Sequence, residues 1–367
     1  MRIGFDAKRL FHNHTGLGVY SRLLVEGLSI RHPQHEYVLY GQKIEKSPYK
    51  ARFQHFKLRQ GRGWGWRSLG LRKDILEDAC DLYHGLSHEI PVNLHQTSVK
   101  RVVTIHDVIF RVDPSLFPYF DRKIYDLKWK YSCKHADLII TVSEHTRKDL
   151  MKLYKVPFEK IRVIYPPVAT TPPPDPVPDQ KVIDQYSLSN PYWLYVGAIN
   201  PRKNLLGLLR ALLISKDDLQ LIVVGSGGTY ERKARRFVDE HGLSSRVRFM
   251  GYLPNETLPV FYRKALALIY PSFYEGFGIP LVESLQSGTP VITSKTSSMP
   301  EAAGPGAILV DPTSPESIAE AMNIMAYDSA LRSNLTKAGY QHAQKFTTDK
   351  IVDQTLGVYQ ELLKFPT

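Results

Sequence analysis

Two carboxylates eight positions apart, Glu275 and Glu283, bracket the run Gly276-Phe277-Gly278-Ile279-Pro280-Leu281-Val282. The two glycines loosen the chain ahead of Pro280, and a proline suits the first helical turn because the N–H it lacks would go unsatisfied there anyway. Gly288 and Pro290 predict the end of that short helix. A helix opening here aims unpaired N–H groups and the positive end of its dipole at whatever lies beside Gly276 and Gly278, which predicts an anion. The layout fits a diphosphate site with a sugar at one end and a ribose at the other. If the segment were helical throughout, the two carboxylates would stand roughly 12 Å apart. Paired-carboxylate hydrolases need about 5 to 10 Å, so a hydrolytic pair is disfavoured.

Other residues of the right kind follow predicted strands, and ligands of open α/β sheets collect outside the carboxyl ends of strands. Gly197 and Asn200-Pro201-Arg202-Lys203-Asn204 come after a strand at Trp193–Val196. Two cations at the head of a helix oppose its dipole, a conflict that a bound anion would relieve. His106 and Asp107 follow a strand at Val102–Ile105, and Gly251, Tyr252 and Leu253 follow one at Val247–Met250, where main-chain groups and an aromatic edge could border a base. Thr15-Gly16-Leu17-Gly18 opens a helix as a second glycine-rich turn with free N–H groups. A dinucleotide fingerprint would need a third glycine where Ser21 stands, and Gly225-Ser226-Gly227-Gly228 ends on Tyr230, so hydride transfer is disfavoured. No Asp-x-Asp pair suggests a metal, and none is expected.

Positioning these residues calls for two α/β layers. Over residues 1–170, strands are expected at Ile3–Phe5, Tyr37–Tyr40, Leu82–His84, Val102–Ile105, Leu138–Thr141 and Val163–Tyr165. Helices follow Gly18, Asp74, Pro114 and Ser143, the last with Ser143 as its N-cap. Seven prolines between Pro166 and Pro178 predict an extended connector, placed at residues 171–183. Residues 184–345 repeat the alternation, with strands near Trp193–Val196, Leu219–Val224, Val247–Met250, Leu266–Tyr270, Val291–Thr293 and Ile308–Val310. A closing helix within residues 346–367, at about Thr348–Lys364, has no further strand to cross to and is free to pack back on the first domain. The default ligand site is the cleft between the domains.

At 367 residues, with 43% hydrophobic and 23% charged side chains, the chain can bury two cores and is neither disordered nor fibrous. Cys80 and Cys133 are too few for a disulfide framework, and a strand starting at the second residue leaves no room for a signal peptide, so a cytoplasmic protein with reduced cysteines is expected. The sequons at Asn13, Asn255 and Asn334 are then chance matches. No run reaches the ~18 apolar residues of a spanning helix. The net charge of +12 favours an anionic partner. Arg52 to Lys73 holds seven cations and no acid, interleaved with Trp64, Trp66, Leu69 and Leu71, a mixture suited to peripheral association with an anionic membrane as well as to a solvated basic loop. Nothing resembling a nucleic-acid motif accompanies the charge, so a nucleic-acid partner is not expected.

EGFGIPLVES followed by QSGTPVITS, with VGAINPRKNL, TIHDVIF, TGLGVY and VSEHTRKDL, resembles the family 4 glycosyltransferases from the first strand to about Lys345. The resemblance implies the GT-B fold, two facing Rossmann-like domains, and retaining transfer of a hexose from a nucleotide diphosphate sugar without a metal or other cofactor. It also implies roles. Glu275 would lie by the donor sugar and Glu283 on the ribose hydroxyls, Gly278 and Ile279 would offer backbone N–H groups to the diphosphate, and Gly276, Phe277 and Gly197 would join Tyr252 and Leu253 among the donor-binding residues. Arg202 and Lys203 would neutralise the leaving group, His106 would contact the sugar, and Gly16, Leu17, Gly18 and Asp107 would line the first domain's side of the cleft. Many relatives carry an arginine where this chain has Ala198, which shifts phosphate work toward Arg202. The likeness is to bacterial mannosyltransferases of surface polysaccharide assembly, with GDP-mannose favoured over a UDP-sugar and a lipid-linked or glycan acceptor. A nucleotide-sugar epimerase on the same fold is the alternative reading.

Overall fold

A computed structural model describes residues 1–188, 191–254 and 256–363. The sequon at Asn255 and the predicted end of the closing helix at Lys364 lie outside them. The chain forms two compact units, one running from Met1 to Val168 and resuming at Phe346, the other spanning Ala169–Lys345.

The first unit holds seven strands: β1 (Arg2–Asp6), β2 (Glu36–Gln42), β3 (Lys57–Gly61), β4 (Leu82–Gly85), β5 (Lys100–Ile105), β6 (Leu138–Thr141) and β7 (Ile161–Val163). They pair in the order β3-β2-β1-β4-β5-β6-β7, parallel throughout. Both faces of such a sheet are covered, which is why its strands read as continuous apolar runs. The strand period of two still sorts them. Leu39, Val102 and Ile140 face one core with Phe5 and Leu82, whereas Val38, Tyr40, Val103 and Ile139 face the other with Trp129 and Leu150. The closing helix, Thr348–Leu363, belongs to this unit and buries Ile351, Val352, Leu356 and Tyr359 in the first of those cores. It crosses the Gly16–Arg31 helix at Gly27, where a Cβ would come 2.5 Å from Val352 Cγ2; only glycine allows that approach.

The second unit holds β8 (Tyr192–Val196), β9 (Gln220–Val224), β10 (Val247–Gly251), β11 (Ala267–Tyr270), β12 (Val291–Ser294) and β13 (Ala307–Val310). Their order is β10-β9-β8-β11-β12-β13, again all parallel. Numbered within the unit this is 3-2-1-4-5-6, the Rossmann order, and it reverses direction between β8 and β11. In the first unit the reversal falls between β1 and β4.

Three expectations need correction. The connector is not extended throughout: Pro176–Tyr186 is a helix, with Asp175 Oδ1 capping Val177 N at 3.2 Å and prolines confined to the first turn, where they cost no hydrogen bond. Asp179 on that helix pairs with Arg263 at 2.7 Å, so it packs on the second unit. The last strand of the first unit is Ile161–Val163 rather than Val163–Tyr165.

The third correction concerns Arg52 to Lys73, which is not one basic loop. It contains β3, and acids distant in sequence neutralise most of it: Arg52 pairs with Glu26, Lys57 and Arg59 with Asp78, and Arg67 with Asp6 and Glu89. Arg67 is therefore a partly buried structural cation held between two acids, and not a lipid contact. Alternating apolar and charged residues hid β3, because it is an edge strand with few buried side chains.

Candidate active site

The loops after β8, β9 and β10 are stitched together at the carboxyl edge of the second sheet. Gly197 N donates to Val224 O at 2.9 Å, Ile199 N to Ser226 O at 2.9 Å, and Gly225 N to Gly251 O at 2.8 Å. Gly197 has φ +142° and Gly225 φ +132°, and a Cβ on Gly225 would fall 2.0 Å from Gly197 O. Gly197 thus shapes the edge, and its N–H is already committed within the loop. Beyond it Pro201–Lys203 makes one 3-10 turn, capped by Asn200 Oδ1 on Lys203 N at 3.2 Å.

That turn delivers Arg202 and Lys203 onto Glu275, in the loop after β11 across the sheet's reversal point. Arg202 forms an ion pair with Glu275 Oε2, and Lys203 Nζ lies 2.8 Å from Oε1. Tyr270 and Ser272 hydroxyls both donate to Oε1 at 3.1 Å, and Tyr270 also meets Lys203 Nζ. The main chain is fastened too. Phe273 N bonds Arg202 O at 2.9 Å, Arg202 reaches Tyr274 O at 2.7 Å, and Glu275 O accepts from Ser297 and Ser298 at 2.7 and 2.9 Å. Sequence reasoning put an exogenous anion between the two cations; in the structure the Glu275 carboxylate fills that role.

Burial alone would raise the Glu275 pKa, but Lys203 and Arg202 outweigh it and hold the carboxyl at about 2. Burial lowers the Lys203 pKa, and Glu275 opposes that drop. Two cations on one anion leave the cluster itself with a net positive charge.

Beside the cluster, Gly278 (φ +114°) caps the helix Ile279–Gln286, with Pro280 in its first turn. A side chain at Gly278 would be strained by this backbone alone and would press on Leu281 and Met299 at 3.1 to 3.2 Å. Leu281 N bonds Gly278 O, while among the described residues the amides of Gly278 and Ile279 meet no acceptor. Gly276 is partly exposed next to them, whereas the Phe277 side chain is buried and its carbonyl accepts from Ser298 at 2.9 Å, so Phe277 can serve a ligand only through its main chain.

One turn into the helix Glu283 is partly buried, and Tyr262 donates to its Oε2 at 2.9 Å. Burial raises its pKa against that hydrogen bond, leaving a desolvated carboxylate that gains by accepting further hydroxyl donors. After β10 the Tyr252 ring is 69% exposed and so does not cover the sheet, whereas Leu253 is buried.

In the first unit His106 ends β5. Its Nε2 lies 2.9 Å from Leu86 O, and a carbonyl can only accept, so Nε2 carries the proton. Burial drops its pKa to about 4, which keeps the ring neutral and leaves Nδ1 with a lone pair. Tyr20 stands edge-on to it at 4.7 Å and His88 at 5.2 Å. Asp107 Oδ1 accepts from Ile109 N at 3.1 Å, a turn-forming bond.

Gly16 and Leu17 open the Gly16–Arg31 helix, and their amides meet no acceptor among the described residues. Gly18 differs from expectation: its N–H is shared by Thr15 O at 2.9 Å and Asn13 Oδ1 at 3.0 Å, and a Cβ there would fall 1.9 Å from Asn13 O. Asn13 ties this turn, its Oδ1 also accepting from Thr15 N at 2.9 Å.

Sequence reasoning missed Tyr270, Ser272, Ser297, Ser298 and Tyr262. Ser272 lies just past β11, and Ser297-Ser298 close a hydroxyl-rich run after β12; placement after a strand was the available signal.

Two Rossmann-ordered units, one carrying paired cations and a glycine-capped helix N-terminus at its reversal point, define a GT-B glycosyltransferase. Family comparison agrees. Residues 14–171 match the model described as Glycosyltransferase Family 4, and residues 180–342 match that described as Glycosyl transferases group 1. The chain belongs to the family 4 glycosyltransferases. It is 29% identical to the O-antigen chain mannosyltransferase B of Escherichia coli, over 99% of this chain and 100% of that one. It is 33% identical to the O-antigen chain mannosyltransferase RfbU of Salmonella typhimurium, over 61% and 59% of the two chains. Anabaena HepE in complex with UDP-glucose superposes with a TM-score of 0.79 at 18% identity, covering 98% of this chain and 100% of that one, which shows a shared fold. No helix among the described residues is long and apolar enough to cross a membrane.

Proposed function

We propose that this glycosyltransferase moves mannose from GDP-mannose, with retention of configuration, to a lipid-linked or glycan acceptor at the cytoplasmic face of the membrane. The observation that carries the reading is the Arg202-Lys203-Glu275 cluster beside the unpartnered amides of Gly278 and Ile279. The mannosyl preference is supported by the two relatives named above.

When the bond between the anomeric carbon and the diphosphate oxygen breaks, positive charge grows on the sugar and negative charge on the leaving oxygen. Arg202, Lys203 and the two amides stabilise the latter from fixed positions, the electrostatic work a metal would otherwise do. Glu275 keeps the two cations in place and stands at the sugar end. Glu283 accepts the ribose hydroxyls. His106 Nδ1 accepts a sugar hydroxyl. The acceptor hydroxyl attacks from the face the diphosphate is leaving, and its proton passes to the departing phosphate oxygen.

A thermal-shift panel of nucleotides and nucleotide sugars tests the donor, because a ligand that binds only the folded state raises its melting temperature. GDP-mannose should give the largest shift, and a larger one with a UDP-sugar would reject the donor. An α-linked product by NMR supports retention. Exhaustive dialysis against chelator should leave transfer intact, and a metal-dependent loss would sink the metal-free mechanism. Conversion of the donor without acceptor would indicate an epimerase.

A further inference from the structure

The helix Tyr119–His135 is apolar on two opposite faces. Its inner face buries Trp129 and Cys133, with Trp129 stacked on His88 at 4.4 Å. Phe120, Ile124 and Leu127 fall within roughly a 60° arc on the far side at the helical period. They are 78%, 50% and 68% exposed. A surface helix ordinarily keeps polar residues there. Lys123, Lys130 and Lys134 lie along one flank of the stripe and are exposed, and the helix carries five cations against two acids.

A second exposed apolar pair lies nearby. Trp64 and Leu69 are fully and 69% exposed. Their turn is tied to the helix through the Glu89–Asn93 loop: Glu89 pairs with Arg67 at 3.0 Å and with Lys128 at 3.1 Å, Val92 N bonds Ser68 O at 2.8 Å, and Asn93 N bonds the Tyr131 hydroxyl at 2.6 Å.

We infer that this composite face, led by Phe120, Ile124 and Leu127, is the surface by which the protein lies on an anionic bilayer. Apolar side chains enter the headgroup boundary while flanking lysines meet lipid phosphates. A two-fold pairing of this face with a second copy is disfavoured, since it would set the same lysine-rich flank against itself. The inference rests on the lipid-linked acceptor only for its purpose; the binding is measured without donor or acceptor, so failure of one leaves the other standing.

The test is sedimentation of the full chain with vesicles of phosphatidylglycerol and phosphatidylethanolamine, and with phosphatidylcholine alone. Wild-type protein should bind the anionic vesicles and largely remain in solution with the neutral ones. The triple variant F120S/I124S/L127S should bind at least about tenfold more weakly, at an unchanged melting temperature. Because these side chains are already exposed, folding should survive; if it does not, K123E/K134E gives the second reading through weakened, less salt-sensitive binding. Unchanged sedimentation of either folded variant overturns the assignment. So does a wild-type dimer that the triple variant converts to monomer, which would make the face a self-association surface.

Discussion

At the level of single residues, Glu275 is the side chain that ties the loops after β8 and β11 together. Replacing it with alanine leaves Lys203, 8% exposed, and Arg202 without their carboxylate. Breaking a buried ion pair from one side typically costs about 3 to 5 kcal/mol. Glu275→Ala should therefore lower the melting temperature as well as kcat, and differential scanning calorimetry beside steady-state kinetics separates the two effects. Glu283→Gln should behave differently: its one described side-chain contact is Tyr262, so stability should change little while KM for the donor rises several-fold. Similar kcat losses with no KM difference would remove the distinction drawn between the two carboxylates, and the opposite pattern would reverse it. The types and separation of the two glutamates were readable in the chain, because a glycine-loosened turn before Pro280 has few other uses. The pairing of Glu275 with Arg202 and Lys203 was not, since Lys203 lies 72 positions away, in a loop after a different strand.

At the level of elements, the strand–loop–helix units after β8 and β11 position the site, and Gly278 is a constrained point at the head of the second helix. With φ +114° and side-chain atoms of Leu281 and Met299 at 3.1 to 3.2 Å, alanine is strained there. Gly278→Ala should cost about 1 to 3 kcal/mol and weaken donor binding by misaiming the helix N-terminus; urea denaturation and a donor titration measure both. Strands buried on both faces declared themselves by apolar runs, which is why twelve of the thirteen strands among the described residues were expected from sequence, one of them, Ile161–Val163, two residues too late. β3 could not be, because its identity rests on pairing with β2 and its charged side chains on distant acids such as Asp78. The Pro176–Tyr186 helix was hidden by its own prolines, which read as a stiff linker until Asp175 is seen to cap them into a first turn.

Across the whole molecule the two units should differ in their response to acid. His84, His88 and His106 of the first unit are all buried and held neutral, with burial lowering the pKa to about 3 for His84, about 4 for His106, and well below normal for His88. Each folded ring refuses a proton that the unfolded chain takes up below about pH 6.5, so their stabilising contribution is complete above that pH and is lost as pH falls toward 4 and 3. Glu275 in the second unit, depressed from 4.5 to about 2, loses its contribution only between those values. Hydrogen exchange at pH 5 should therefore show faster opening of β4 and β5 than at pH 7, with β8 and β11 less changed; equal loss in both units would refute this. The α/β class and two-domain plan were legible because alternation is local, whereas the histidine cluster arises only when β4, β5 and the closing helix converge, as in the 2.6 Å contact of His84 with Tyr359. The closing helix has one more consequence. Since the chain leaves the first unit at Val168 and re-enters at Phe346, where Val168 N bonds Phe346 O at 3.0 Å, the second unit is topologically an insert with both junctions side by side. Two cuts, after Val168 and before Phe346, would let that unit be exchanged between relatives as a cassette, so whatever each unit recognises is open to separate inheritance by recombination.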